Sequence, residues 1–373
     1  MCAHRANRRD FLQGRAAVDS LAELAQRALD REHESDLATA PYRLHLARRA
    51  MACEFEIILN AGVHADAAEL AVAALDRIDE LEAQLTVYRD TSELAAINRQ
   101  ATQGPVAVEA RLFELLELAV RLSAETGGAF DVTAGPLTKA WGFFSRRGAV
   151  PETADLERAL ASVGSQYLKL DSQQRTIQFE RPDMDINLGA IGKGYALDRA
   201  AELLDAAGLT SYLLHGGQSS VLARGGQAGD GNASGAWTIG LGDPTRPGRQ
   251  LARIDLVNQS LATSGSRMQS FRAGGQRYGH ILDPRTGQPA LGVLTATVIA
   301  PSAAIADAVS TAFFVMGVDG ATEFCRSHAE IGAVLVTAGG RGKRDVHILG
   351  LANSQVRLAS HDAANQTTQH ADD

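Results

Sequence analysis

The sequence predicts an α+β fold: mixed sheets with flanking helices, built as one large domain or as two closely packed lobes. Three observations carry this. The second half reads as a series of strands broken by only two helical stretches. Two segments of the first half repeat apolar residues at helical spacing. Strand and helix do not alternate strictly, which argues against a doubly wound parallel sheet.

Residues 1–41 are charged and alanine-rich and read as an appended helix or arm, ahead of a main domain at 42–352 and a polar tail at 353–373. From Tyr42 to Asn60 the pattern is strand-like, ending in Phe55-Glu56-Ile57-Ile58-Leu59. Over 65–85, Leu70, Leu75, Ile78, Leu81 and Leu85 form one apolar stripe, so a helix is expected. Leu112, Leu115, Leu116, Leu118 and Leu122 predict another over 109–126, stopped by Gly127-Gly128. A hairpin is expected over 166–180, turning at Asp171-Ser172-Gln173-Gln174, and a helix from about 193 to 207. Strands follow near 211–215, 219–224, 236–241, 250–257, 277–282, 293–300, 332–337 and 345–350, with helices near 303–316 and 319–328. The glycine-rich 225–235 reads as a loop, and 360–373 as a stretch without fixed structure.

Composition excludes several classes. A net charge of −8 without a long basic run disfavours nucleic-acid binding. No uninterrupted apolar run reaches the ~18–20 residues of a membrane span. Cys2, Cys53 and Cys325 are scattered, without metal-ligand spacing or a disulfide framework. Arg8-Arg9-Asp10-Phe11-Leu12-Gln13 is similar to a twin-arginine export motif, but Arg15, Asp19, Glu23, Arg27 and Asp30 interrupt the segment where an uncharged apolar stretch belongs. Retention in the cytoplasm is therefore the default expectation.

Four segments hold residues suited to chemistry. Asn187-Leu188-Gly189-Ala190-Ile191-Gly192-Lys193-Gly194 leads into a helix whose first N–H groups favour an anion, with Lys193 adding a point charge. Tight packing explains such glycines equally well. Asp307 and Thr311 lie four apart, on one helical face, and suit a hard cation such as Mg²⁺; a helix-dipole and back-bonding role is the alternative. His280, at the end of a strand before Asp283-Pro284-Arg285-Thr286-Gly287, is a candidate general base or a structural histidine. Gly128-Ala129-Phe130-Asp131, with Trp141-Gly142-Phe143 beyond it, can accept a flat ring or form an ordinary packed loop. Tyr88 reads locally as a buried, satisfied tyrosine.

Taken in order, Met51-Ala52-Cys53, the run from Tyr88 to Asn98, Gly128 to Asp131, Leu188 to Gly194, His215-Gly216-Gly217, Thr263-Ser264-Gly265, His280 to Gly287 and Ala306 to Thr311 resemble the ApbE family of FAD:protein FMN transferases, over about residues 45–350. The resemblance implies an ApbE-like fold and an activity: Mg²⁺-dependent transfer of FMN from FAD to a Thr or Ser hydroxyl of an acceptor protein, releasing AMP. It implies that Met51, Tyr88, Ala129, Phe130, Asp131, Asn187, Lys193, Thr263, Ser264 and His280 line the FAD site. It implies that Mg²⁺ is held by the Ala190 carbonyl, Asp307 and Thr311, and that His280 accepts the proton of the target hydroxyl. Asn187 stands where the family commonly has an aspartate, with Asp185 two positions earlier as a possible replacement. Two other functions share these groups: FAD hydrolysis to FMN and AMP, and a carrier that holds FAD without chemistry.

Overall fold

The computed structural model describes residues 43–60, 64–227, 235–265, 269–339 and 343–359, with the backbone of 366–368. The expected arm at 1–41 and the paired arginines lie outside the described residues. In chain order the strands are β1 (Arg43–Ala50), β2 (Cys53–Asn60), β3 (Val106–Ala107), β4 (Leu168–Asp171), β5 (Thr176–Phe179), β6 (Tyr212–Gly216), β7 (Ser220–Arg224), β8 (Trp237–Gly242), β9 (Gln250–Leu256), β10 (Ser260–Gly265), β11 (Ser270–Ala273), β12 (Gln276–Gly279), β13 (Val293–Ala300), β14 (Gly332–Ala338), β15 (Arg344–Leu349), β16 (Val356–Leu358) and β17 (Gln366–Thr368). The helices are α1 (Ala67–Leu85), α2 (Glu93–Gln100), α3 (Ala110–Glu125), α4 (Gly135–Ala140), α5 (Thr153–Ala161), α6 (Gly192–Ala206) and α7 (Ala303–Ser327).

The main sheet runs β1-β2-β6-β7-β10-β13-β14-β15-β17, antiparallel except for the last pair. Side chains alternate between its faces, so neighbours enter different cores. Leu214, Leu222 and Leu335 join the core under the helices, while Leu213, Val221 and Val334 join a second core under the small sheet β8-β9-β16. Both faces of the central strands are thus buried, which explains their near-continuous apolar runs.

The expected helices and most strands appear within a few residues. Gly127 and Gly128 both take positive φ beyond α3, the conformation that ends a helix most easily at glycine. The two helices expected at 303–328 form one run kinked at Gly317, whose φ of 75° and ψ of −170° suit glycine. By length and composition α7 would cross a membrane. It is instead the core helix between the main sheet and α6, with Ala306, Ala308, Val309, Ala312 and Phe313 buried.

Three expectations are corrected. The strand expected at 277–282 ends at Gly279, and Leu282 only bridges Pro289. The tail contains β17, which pairs in parallel with the otherwise open edge of β15. Residues 185–187 lie outside any strand, so spacing of two does not place Asp185 and Asn187 on one face.

Candidate active site

Asp307, on the first turns of α7, is 5% exposed and accepts three kinds of donor. Gly194 N–H reaches Oδ2 at 2.8 Å, Ser220 Oγ reaches Oδ1 at 2.6 Å, and Lys193 Nζ lies 3.3 and 3.4 Å from the two oxygens. The sequence places these groups by simple means. Gly194 has no side chain, so α6 meets α7 closely: a Cβ there would sit 2.0 Å from the Ala303 carbonyl oxygen. Asp198, one turn further along α6, accepts from Ser302 Oγ and from the N–H groups of Ala303 and Ala304. It thereby satisfies the start of α7, which carries Asp307.

Hydroxyls gather on the next turn of α7. Ser264 Oγ on β10 lies 3.0 Å from both Ser310 Oγ and Thr311 Oγ1. One carbonyl stands open just before α6. Ala190 lies just before the N-cap Ile191, and no described donor reaches its oxygen, while Gly194 N–H, one of the donors that a helix start leaves unpaired, is given to Asp307. Carboxylate, hydroxyl and carbonyl oxygens are the donor types a hard divalent cation takes. Among the described residues no three His, Cys, Asp or Glu side chains converge, so an ion here would draw further oxygens from its substrate or from water.

Two hairpin turns close the same end of the sheet. Ala50 pairs with Cys53, leaving Met51 and Ala52 as a two-residue turn with φ of 49° and 61°. This is the left-handed conformation usually given to Asn-Gly, and holding Met and Ala there stores roughly 1–3 kcal/mol per residue. The neighbouring turn has Gly217 and Gln218 at 61° and 60°, and Gly217 N–H donates to Glu54. Cys53 lies against Gly217. Burial pushes its thiol up, Lys193 opposes this and Asp307 reinforces it, so Cys53 stays a protonated thiol near neutrality.

His280 follows β12, the second strand of the β11-β12 hairpin. Its Nδ1 lies 3.0 Å from the Gln269 carbonyl, which can only accept, so Nδ1 carries the proton and Nε2 the lone pair of the neutral ring. Burial lowers its pKa, the Gln269 bond opposes this, and the Lys193 charge lowers it further. The hairpin rests on an aromatic cluster: Phe271 lies 5.3 Å from Tyr278 and 5.5 Å from Phe143, and Phe143 meets His280 edge-on at 6.4 Å. Tyr88 is not the buried tyrosine expected locally. It is 62% exposed and stacked on Phe144 at 4.7 Å.

Ala129 and Phe130 are buried. The Asp131 carboxylate accepts from Ser123 Oγ, from Thr133 N–H and Oγ1, and from Ser165 N–H and Oγ. Beside it a cavity of about 510 Å³ is lined by Gly128, Ser165, Pro284 and Arg285 among others, but by none of Lys193, Asp307 and His280. Asn187 accepts from Gly189 N–H at 2.9 Å and shapes the turn into α6, while Asp185 is ion-paired with Lys139 at 2.8 Å. Thr263 is not brought to the hydroxyl cluster. It alternates to the opposite face of β10, where its Oγ1 meets Thr297 Oγ1 at 2.9 Å. Reading the sequence assigned no role to Ser220, Asp198 or Asn98, whose side chain clamps Ile186 through both its N–H and its carbonyl. Their partners lie 87 to 106 residues away, so local pattern could not announce them.

Known proteins are similar to this chain in sequence and in fold. The family description "ApbE family" matches residues 51–335. A Treponema pallidum protein named FAD:protein FMN transferase is 34% identical over 279 residues, covering 71% of this chain and 77% of its own length. One of the same name from Salmonella typhimurium is 32% identical over 267 residues, covering 70% and 75%. Among solved structures, an ApbE protein of Thermotoga maritima superposes with a TM-score of 0.73 at 29% identity, over 82% of this chain and 96% of its own. The flavin transferase ApbE of Vibrio cholerae gives 0.72 at 27% identity, over 83% and 98%. With the matched segment running from the strained Met51 turn through the Asp307 helix to β14, the chain belongs to the ApbE family.

Proposed function

We propose that this protein is an FAD:protein FMN transferase, which cleaves FAD and attaches FMN to a Thr or Ser hydroxyl of an acceptor protein, releasing AMP. The observation that carries this is the convergence on Lys193. It contacts Asp307 and lies close enough to Cys53 and His280 to act on both electrostatically. A cationic centre, an oxygen-donor cluster and a neutral imidazole thus share one end of the sheet. The names of the relatives support the reaction class.

In this reading Asp307, Thr311 and the Ala190 carbonyl would hold Mg²⁺, which supplies charge neutralisation at the pyrophosphate. Lys193 adds a fixed positive charge beside the same phosphates. Met51 and Ala52, in their strained turn, and exposed Tyr88 offer apolar surface to the flavin. Nε2 of His280 takes the hydroxyl proton as that oxygen attacks phosphorus, and Gln269 keeps the ring in the required tautomer. Phosphoryl transfer then depends mainly on positioning both partners in one cleft.

The test is AMP release from FAD with Mg²⁺, with and without a flavin-accepting protein, followed by in-gel flavin fluorescence after denaturation. AMP with a fluorescent acceptor band is the expected result. AMP without a band identifies a hydrolase, and bound FAD without AMP identifies a carrier.

A further inference from the structure

Tyr88 stands on the turn between α1 and α2 and is 62% exposed. A tyrosine on an open turn ordinarily samples several rotamers, and stacking a ligand on it costs the free energy of fixing one. Here the ring is already held. Phe144 lies against it at 4.7 Å with an interplanar angle of 23°, an offset stack. Lys139 Nζ sits over the Phe144 ring, 5.5 Å from its centre, and also reaches Asp185 Oδ2 at 2.8 Å. The Asp185 side chain is only 12% exposed against 48% for that of Lys139, so a buried carboxylate anchors the cation. Gly135 makes room for this anchor, since a Cβ there would collide with the Asp185 carboxylate.

Asp185, Lys139, Phe144 and Tyr88 thus form a column that runs from the interior to an aromatic ring in solvent. Its upper members come from separately fixed turns. Phe144 N–H donates to the Thr138 carbonyl at 3.2 Å, and Trp141 Nε1 donates to the Gly287 carbonyl at 2.8 Å. On the other turn, Tyr88 N–H donates to Thr86 Oγ1, and Ser92 Oγ donates to the Thr86 carbonyl. A column built only for packing would bury its last ring, whereas this one leaves it open. Both of its sides border the reaction centre. Phe143, next to Phe144, meets His280 edge-on, and Asp185 lies in the segment that leads through Asn187 to Lys193. Asn98, on α2 beyond Tyr88, clamps Ile186 in that same segment.

We propose that Asp185, Lys139 and Phe144 are positioning residues, which hold the Tyr88 ring for stacking against the isoalloxazine of FAD. The inference rests on the transferase reading, in which Tyr88 meets the flavin. The isoalloxazine is electron-poor and the phenol electron-rich, so an offset stack between them is favourable. Phe144 acts by ordering Tyr88 before FAD arrives and does not itself touch the flavin.

The test is titration of the full chain with FAD in the presence of Mg²⁺, followed by calorimetry and by the shift of the flavin absorption band. Phe144→Ala should weaken FAD binding roughly three- to tenfold, and Phe144→Tyr should keep it. Lys139→Met and Asp185→Asn should each weaken it by a smaller factor. In a Tyr88→Ala background, Phe144→Ala should have no further effect, because it acts only through the tyrosine. FMN should lose affinity for Phe144→Ala by the same factor as FAD, and ADP should lose none. Unchanged thermal midpoints show that the variants fold. Unchanged FAD affinity in Phe144→Ala, or additive losses from Tyr88→Ala and Phe144→Ala, overturns the proposal. So does a loss confined to ADP, or a wild type that binds no FAD. If the coupling holds but the wild type releases no AMP with an acceptor protein present, the column stands and the transferase reading falls.

Discussion

His280 shows how one side chain acquires a chemical role from its surroundings. Burial and the nearby Lys193 both disfavour the imidazolium, and the single bond from Nδ1 to Gln269 only partly offsets them. The ring therefore stays neutral to lower pH than an ordinary histidine, whose pKa is about 6.5. Because the base must be unprotonated, kcat/KM should fall on the acid side with its midpoint below that value. A midpoint at or above it would exclude this imidazole as the base. His280→Ala should reduce transfer by roughly 10²–10⁴-fold with FAD affinity nearly unchanged, as measured by initial rates and flavin fluorescence titration. Lost FAD binding would instead mark the residue as structural. Asp131, also expected at the FAD site, accepts hydrogen bonds from Ser123, Thr133 and Ser165.

At the scale of elements, the site depends on how α6 and α7 meet. Gly194 permits the close approach, and Asp198 holds the first turn of α7 through two backbone N–H groups and Ser302. Asp198→Ala should cost about 1–3 kcal/mol in urea unfolding, since it strands buried donors as well as removing a cap. An unchanged midpoint would show that the helix start is satisfied otherwise. Elements with strong periodicity, such as α1 and α3, were legible because their apolar stripes repeat over four turns or more. β10 was not, because Ser-Leu-Ala-Thr-Ser-Gly has no apolar period and becomes a strand by pairing with β7 and β13. The six-residue α4 and eight-residue α2 are too short to show a stripe.

For the molecule as a whole, the site draws on residues from Met51 to Thr311, so occupying it should stabilise the entire main body. FAD at about 100 times its Kd should raise unfolding free energy by about 2.7 kcal/mol, provided Mg²⁺ is present. Differential scanning calorimetry with FAD alone, Mg²⁺ alone and both should show the larger shift only for the pair. Asp307→Asn should abolish the extra shift from Mg²⁺ while retaining a shift from FAD. An equal response to FAD with and without Mg²⁺ would remove the ion from the site.

The order of motifs, the glycines that end or join helices, and the candidate roles of Lys193, Asp307 and His280 could all be read along the chain. These features depend on local spacing and backbone freedom, which sequence encodes directly. Which way each side chain faces was decided only in three dimensions. Thr263 and Ser264 are adjacent, yet sheet alternation sends one to Thr297 and the other to Ser310 and Thr311. Asp185 goes to Lys139 because its segment is not a strand, and Met51 is held with positive φ because β1 and β2 pair tightly on either side of it. Such outcomes arise from contacts between distant segments, whose energies outweigh the preferences of any single residue.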